Sequence, residues 1–225
     1  QVYRRILENP EYPTIEDAYT KWREYLTEFG FGKKLGIEFT NELNGLIPSP
    51  AYFDKYYGKN KWKALTVISM AIGQGEVETT PLQMANMTAA IANRGYYYIP
   101  HIVKSIGNDK KIDQKYLTKQ VINIDSSNFE SIVLGMEEAV NGEAGATARI
   151  AALKDITVCG KTGTAQNPQG NRKDHSVFIA FAPKDDPKIA IAVYVENAGF
   201  GATYAAPVAS LMIEKYLTGK VTNAW

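Results

Sequence analysis

The sequence predicts an α+β fold, and three observations carry that expectation. Helical periodicity runs through the first 95 residues, strand-like runs joined by turns fill residues 156–197, and one amphipathic run closes the chain. Helices, then antiparallel strands, then a covering helix is not the alternation that builds a parallel sheet. At 225 residues and 45% apolar content the chain is long enough for a sizeable core. Residues 1–95 read as a helical lobe segment. Residues 96–225 read as a sheet segment with its covering helix, the two being parts of one truncated domain.

The first helix is announced by Thr14 as N-cap with Asp17 three residues on. Ile15, Ala18, Tyr19, Trp22, Leu26 and Phe29 follow at helical spacing, and Gly30 marks the stop. Residues 30–60 are rich in Gly, Pro and Asn and read as an ordered loop with short turns. Trp62 to Ile72 is an apolar helical run ending at Gly73-Gln74-Gly75. Thr80-Pro81-Leu82-Gln83 has the form of a capping box with proline at the first helical position. The helix it opens is apolar nearly all round, which requires burial in a larger body.

Beyond Gly95 the pattern changes. Tyr96 to Ile106 reads as a strand, with Pro100 placing part of it at an edge and Tyr96, Tyr97 and Tyr98 as a packing cluster. Lys110-Lys111 reads as a solvated turn. Ser127 with Glu130 reads as a second capping box, opening a helix through Ile132, Val133, Met136 and Val140 to Gly142. Strands are expected at 156–166, 176–183 and 188–197, the last two joined by the turn Lys184-Asp185-Asp186-Pro187. The final helix is expected to lay Tyr204, Val208, Met212, Ile213 and Tyr216 on the small-residue face of the last strand.

Charge and composition exclude several classes. A net charge of +1 removes the electrostatic case for nucleic acid. One cysteine excludes a disulfide framework, and with His101 and His175 as the two histidines neither a metal centre nor any cofactor is expected. No stretch approaches the ~20 apolar residues of a membrane-spanning helix, and no signal peptide is visible. The chain opens on Gln1 without a capping residue and reads as a piece of something longer.

The chemistry concentrates at Val158-Cys159-Gly160-Lys161-Thr162-Gly163-Thr164-Ala165-Gln166. Lys161 brings positive charge to a groove, Thr162 and Thr164 bring hydroxyls for an anionic ligand end, and Gly163 admits a ligand backbone. The Thr164 N–H is a donor for an oxyanion. Taken alone, these residues read first as a surface strand with a glycine bulge, and only their context favours a binding strand. A phosphate-binding loop is excluded because Asp155 stands where it requires glycine and because Gly163 and Pro168 follow in place of a helix. Gly73-Gln74-Gly75 is no dinucleotide fingerprint, since Glu78 occupies the third glycine position.

Context extends the motif. Lys161 to Gln166, then Asp174-His175 opening a strand that ends Ala180-Phe181-Ala182-Pro183, then Val195-Glu196-Asn197, resembles the penicillin-binding proteins. Upstream, Ala71-Ile72-Gly73-Gln74-Gly75 with Thr79-Thr80-Pro81-Leu82-Gln83-Met84-Ala85 is similar to the glycine-glutamine-glycine loop and following helix of their transpeptidase domain. Asp174-His175 and Val195-Glu196-Asn197 look most like the class B, penicillin-binding protein 2 type. The likeness spans roughly residues 62–219.

The resemblance implies a penicillin-binding-protein/β-lactamase-like transpeptidase fold and a membrane-anchored, periplasm-facing parent at the bacterial inner membrane. That parent would crosslink peptidoglycan stem peptides through a serine acyl-enzyme, be a β-lactam target, and act in elongation and cell shape beside a RodA-type glycosyltransferase. It implies roles as well. Lys161 supplies potential and organises the proton network, Thr162 and Thr164 hold the terminal carboxylate, and the Thr164 N–H forms half of an oxyanion hole. The resemblance would put His175 at the site mouth, but from the residues alone a lone histidine opening a strand reads as structural. Glu196 and Asn197 likewise read as strand-end hydrogen-bonders, and Cys159, two residues from Lys161 and so on its face, as a buried, inert thiol.

One departure is decisive for this chain. No serine has lysine three residues on, so the family's nucleophile and general base are not encoded here, and both are expected upstream. Ser126-Ser127-Asn128 matches the family's S-x-N pattern but follows the glycine-glutamine-glycine loop instead of preceding it. The isolated chain is therefore expected to be inactive. An unpaired edge beside residues 188–197 is expected to drive self-association or strand exchange. Two alternatives stand beside this: a β-lactamase or β-lactam sensor, and a non-catalytic module that binds peptides at the Lys161 strand edge.

Overall fold

The structure is a computed structural model that describes residues 5–6, 8–107, 112–143, 145–167 and 170–222. The opening stretch at residues 1–4 and 7, the Lys110-Lys111 turn and Pro168 lie outside the described residues. Seven α-helices and five strands occur among the described residues: α1 (Ile15–Glu28), α2 (Pro50–Tyr57), α3 (Ala64–Val67), α4 (Pro81–Ala92), β1 (Tyr96–Tyr97), α5 (Gln114–Leu117), β2 (Gln120–Val121), α6 (Ser127–Asn141), β3 (Cys159–Ala165), β4 (His175–Ala182), β5 (Ile189–Val195) and α7 (Ala205–Thr218). The chain divides into two compact units, one of residues 1–80 with 99–113, the other of residues 81–98 with 114–225.

The first unit is built on aromatic rings. Thr14 caps α1 by accepting the Asp17 N–H, which leaves Ala18 and Tyr19 on the buried face. Tyr19, Phe53 and Trp62 meet with centroids 5.4–5.7 Å apart, over Val67 and Met70. Their polar ends are satisfied, with the Tyr19 hydroxyl donating to Pro48 O at 2.7 Å and Trp62 Nε1 donating to Asp54 at 2.9 Å.

Three expectations are corrected between residues 30 and 106. Residues 30–60 include the helix α2, with Ser49 as cap and Pro50 at the first helical position. The run from Trp62 is a single turn of α-helix followed by a 3-10 helix at Ile68–Ile72, closed by Gly73 in the left-handed region. The strand expected through Ile106 is confined to β1. Pro100 has no N–H to offer, and the N–H groups of Ile102 and Val103 donate to the Glu38 carboxylate at 2.8 and 2.9 Å instead of to a ladder.

The second unit carries the main sheet, antiparallel in the order β3-β4-β5, while β1 pairs with β2. The β4–β5 turn closes with the Lys188 N–H on Ala182 O. Register pairs Lys161 with Ile179 and Ile179 with Ala192. On one face Phe178, Ala180, Ile191 and Val193 form a core with Val140, Ala148, Ala151 and Val158.

The helix α7 covers that core with Ala205, Ala206, Ala209 and Ile213. The large residues Tyr204, Val208, Met212 and Tyr216, expected to lie on the sheet, face outward. Alanines on α7 let its backbone approach strands already filled by Phe178 and Ile191, so the small face wins the interface.

The α6 start also differs from expectation. Ser126 makes no capping bond; Asp125 Oδ1 accepts both the N–H and the hydroxyl of Ser127, and these bonds hold the Asp125 carboxyl below its usual range. Glu130, assigned to a capping box, pairs with Arg94 at 2.9 Å.

The α7 interface sets a prediction. Ala209→Leu forces extra volume into a filled contact and costs ~1–3 kcal/mol of unfolding free energy. Met212→Gln, on the outward stripe, stays within ~0.5 kcal/mol. Chemical denaturation of the two variants checks this, and the reverse order would show that the helix is rotated.

Candidate functional site

The Lys161-Thr162-Gly163-Thr164 run lies on β3, an edge strand that pairs only with β4 among the described residues. Its entry is fixed by Asn141 at the end of α6, whose Nδ2 donates to Val158 O at 2.7 Å. Gly160 is required by packing, because a Cβ there would enter the Phe178 ring, with Cε2 at 3.0 Å. Along an antiparallel edge every second residue directs its N–H and C=O away from the sheet, so the outer side is a free row of donors and acceptors.

Lys161 is exposed, and its ammonium donates to the neighbouring Thr162 O at 2.8 Å. No carboxylate pairs with it among the described residues. Its positive charge therefore stands uncompensated at the strand edge. Thr162 is half-buried, and its hydroxyl bonds Thr147 Oγ1 at 3.4 Å. Thr164 is half-buried opposite Ser176. By strand alternation Lys161 and Gly163 share one face, and Thr162 and Thr164 share the other. Both pairs flank the same open edge.

Gly163 faces Val177, where a Cβ would make ordinary contact at 3.4 Å. Its tight neighbour is Gly201: a Cβ on Gly201 would stand 2.5 Å from Gly163 O and still closer to Val177 O. The close approach at this point in the fold is thus made by the chain's own loop after β5.

His175 opens β4 opposite Ala165, at the Thr164 end of the sheet. Its Nδ1 accepts the Asn197 N–H at 3.2 Å, and its ring stacks on Tyr194 with centroids 5.2 Å apart. Burial raises the Tyr194 phenol above its ordinary pKa, with Glu196 adding to the rise. Cys159 shares the Lys161 face by alternation but is fully buried, and burial, helped by the Glu137 charge, pushes its thiol up to about 11. Reading the sequence alone overlooked Thr147, Asn141, Asn167 and Gly201. Each acts through a partner distant in sequence, and the glycine between Phe200 and Ala202 was the one local sign of tight packing.

Taken together, an antiparallel sheet packed against helices and a lysine-threonine-glycine edge strand define the transpeptidase class of penicillin-recognising domains. Residues 14–214 match the family described as the penicillin binding protein transpeptidase domain, and the chain belongs to that family.

Among curated relatives, the peptidoglycan D,D-transpeptidase MrdA of Haemophilus influenzae is 33% identical over 220 residues, covering 91% of this chain and 33% of the relative. The Acinetobacter baumannii MrdA is also 33% identical, over 213 residues that cover 89% of this chain and 31% of the relative. The chain therefore spans about a third of the length of these relatives. Among solved structures, Pseudomonas aeruginosa PBP2 in complex with WCK 5153 superposes with a TM-score of 0.78 at 32% identity, covering 92% of this chain and 46% of that one. The complex between PBP2 and MreC from Helicobacter pylori gives 0.70 at 28% identity, covering 96% and 38%.

The raised thiol pKa predicts that Cys159 is inert. At pH 8 its thiolate population is roughly a hundredfold below that of an ordinary cysteine, and the reagent has no access. Iodoacetamide should leave the folded chain unmodified and label one site in guanidinium, read by intact mass. Rapid labelling of the folded chain would contradict the buried placement.

Proposed function

We propose that this chain supplies one wall of the active site of a peptidoglycan D,D-transpeptidase, and that the whole protein carrying it crosslinks stem peptides through a serine acyl-enzyme. The observation that carries the proposal is the uncompensated Lys161 ammonium on an open edge strand flanked by Thr162 and Thr164. In this reading a stem peptide ending in D-Ala-D-Ala lies along the outer edge of β3 as an added strand. Its terminal carboxylate is held by the hydroxyls of Thr162 and Thr164 in the field of Lys161.

The serine and the lysine that activates it come from residues outside these 225. Serine oxygen attacks the penultimate carbonyl, and the tetrahedral oxyanion takes the Thr164 N–H as one of its donors. Collapse expels the terminal D-alanine, which carries off the proton released by the serine. An amine of a neighbouring stem peptide then displaces the serine and forms the crosslink. A β-lactam enters the same chemistry, but its ring-opened leaving group stays attached and the acyl-enzyme persists. Lys161 organises the proton network around the serine.

The two compact units belong, in this reading, to one transpeptidase domain, helical over residues 1–95 and sheet-based over residues 96–225. Among the described residues no helix is long and apolar enough to cross a membrane. The similarity to MrdA and PBP2 proteins supports placing the parent at the bacterial inner membrane, facing the periplasm, with the elongation machinery and a RodA-type glycosyltransferase as partners.

A fluorescent penicillin tests the proposal. The whole protein should take up one adduct, the 225-residue chain none, and Lys161→Ala in the whole protein should slow acylation by about 10²-fold or more. No adduct on the whole protein overturns the transpeptidase reading, and a stoichiometric adduct on the 225-residue chain overturns the placement of the nucleophile. A further expectation concerns β5, whose outer edge has no strand partner among the described residues. The isolated chain should self-associate through it in light scattering at high concentration. A clean monomer would remove that expectation.

A further inference from the structure

We infer that His175 and Asn197, tied through Asp174 and Asn167, form a clamp that positions the Gly163–Thr164 backbone for the anionic end of the substrate. The inference rests on the transpeptidase reading of the Lys161 strand.

Three segments meet at the Thr164 end of the sheet: the exit of β3 at Asn167, the entry of β4 at Asp174-His175, and the exit of β5 at Asn197. They are bonded to one another. The Asn167 N–H donates to Asp174 Oδ1 at 3.0 Å, and Asn167 Nδ2 donates to Asn197 Oδ1 at 2.6 Å and to Lys173 O at 3.3 Å. The Asn197 N–H donates in turn to His175 Nδ1, and the Gly199 N–H to Asp174 O at 2.7 Å. An imidazole nitrogen accepts only when it carries no proton, so this bond selects the tautomer with hydrogen on Nε2. Stacking on Tyr194 sets the ring plane.

Asn197 has φ +55, a left-handed conformation that a non-glycine residue keeps only when its surroundings impose it. Both its main chain and its side chain are engaged, and this sharp turn is what sends the chain back over the sheet. The returning loop is held by Ser176, whose hydroxyl donates to Phe200 O at 2.9 Å and accepts the Ala205 N–H at 3.1 Å. Its tip, Gly201, rests directly on the Gly163 and Val177 backbones, leaving no room for a Cβ.

A shift at Asn197 is therefore passed through a short, tightly packed loop to the peptide of the motif glycine. One residue further along β3, Thr164 offers the hydroxyl and N–H that the reaction uses. His175 touches no reacting atom. It is a positioning residue.

Two variants of the whole protein separate its parts. His175→Asn keeps an acceptor near the position of Nδ1 and removes the ring; His175→Phe keeps the ring on Tyr194 and removes the acceptor. With a fluorescent penicillin, His175→Phe should lower the second-order acylation constant roughly tenfold or more while the final stoichiometry stays at one. His175→Asn should restore most of the rate. A purely structural role would instead reduce the labelled fraction and leave the rate constant of the remaining active protein unchanged. That result, an unaffected His175→Phe, or a His175→Asn as slow as His175→Phe would each overturn the clamp. If the wild type takes no adduct, the transpeptidase reading falls and amide exchange over residues 160–166 of the same protein decides the clamp. Faster exchange in His175→Phe but not in His175→Asn supports it, and equal exchange in all three overturns it.

Discussion

The placement of Lys161 depends on one steric constraint, the occupation by Phe178 of the space above Gly160. Side chains alternate across a strand, so a slip of one residue between β3 and β4 would turn Lys161 to the opposite face and bring a side chain against that ring. Phe178 is fully buried beneath α7 and cannot yield. The register that pairs Gly160 with Ala180 and Lys161 with Ile179 is thus fixed by a contact on the core side of the sheet. The charge at the edge is a consequence of packing beneath it.

The same economy of volume governs the covering helix. Ala205, Ala206 and Ala209 bring α7 close to β4 and β5, and the loop leading into it passes through Gly201 against the strand backbones. Ser176 links these layers, since its hydroxyl bonds both Phe200 O and the first N–H of α7. Helix, loop and edge strand behave as one packed assembly, in which small residues mark the closest approaches.

What the sequence disclosed follows from the range of the interactions involved. The α1 cap was legible because Thr14 and Asp17 lie within one turn. The strands β3 to β5 and the Lys161 motif were legible because their residue types and turns are local. The second capping box failed because Arg94, far off in the chain, takes Glu130, and the strand after Tyr97 failed because Glu38 takes the N–H groups of Ile102 and Val103. The face of α7 was misjudged because hydrophobicity alone ranks Met212 and Tyr216 above alanine, whereas a close helix–sheet contact selects for size. Helix α2 was hidden in a Gly- and Pro-rich stretch although Ser49-Pro50 marks its start. The bonds linking Asn167, Asp174, His175 and Asn197 join separate strands, and no single window of sequence contains them.

The two glycines that meet the strand most closely also bound how this site can drift. At 160 and at 201 any added side chain collides with a buried ring or with backbone, so neither position is open to gradual change. Exposed Lys161 and half-buried Thr162 and Thr164 can exchange charge and hydroxyl groups without disturbing the fold, and Thr147 can vary beside them. Variation at this edge is channelled into side chains such as Thr147, over a strand whose course stays the same.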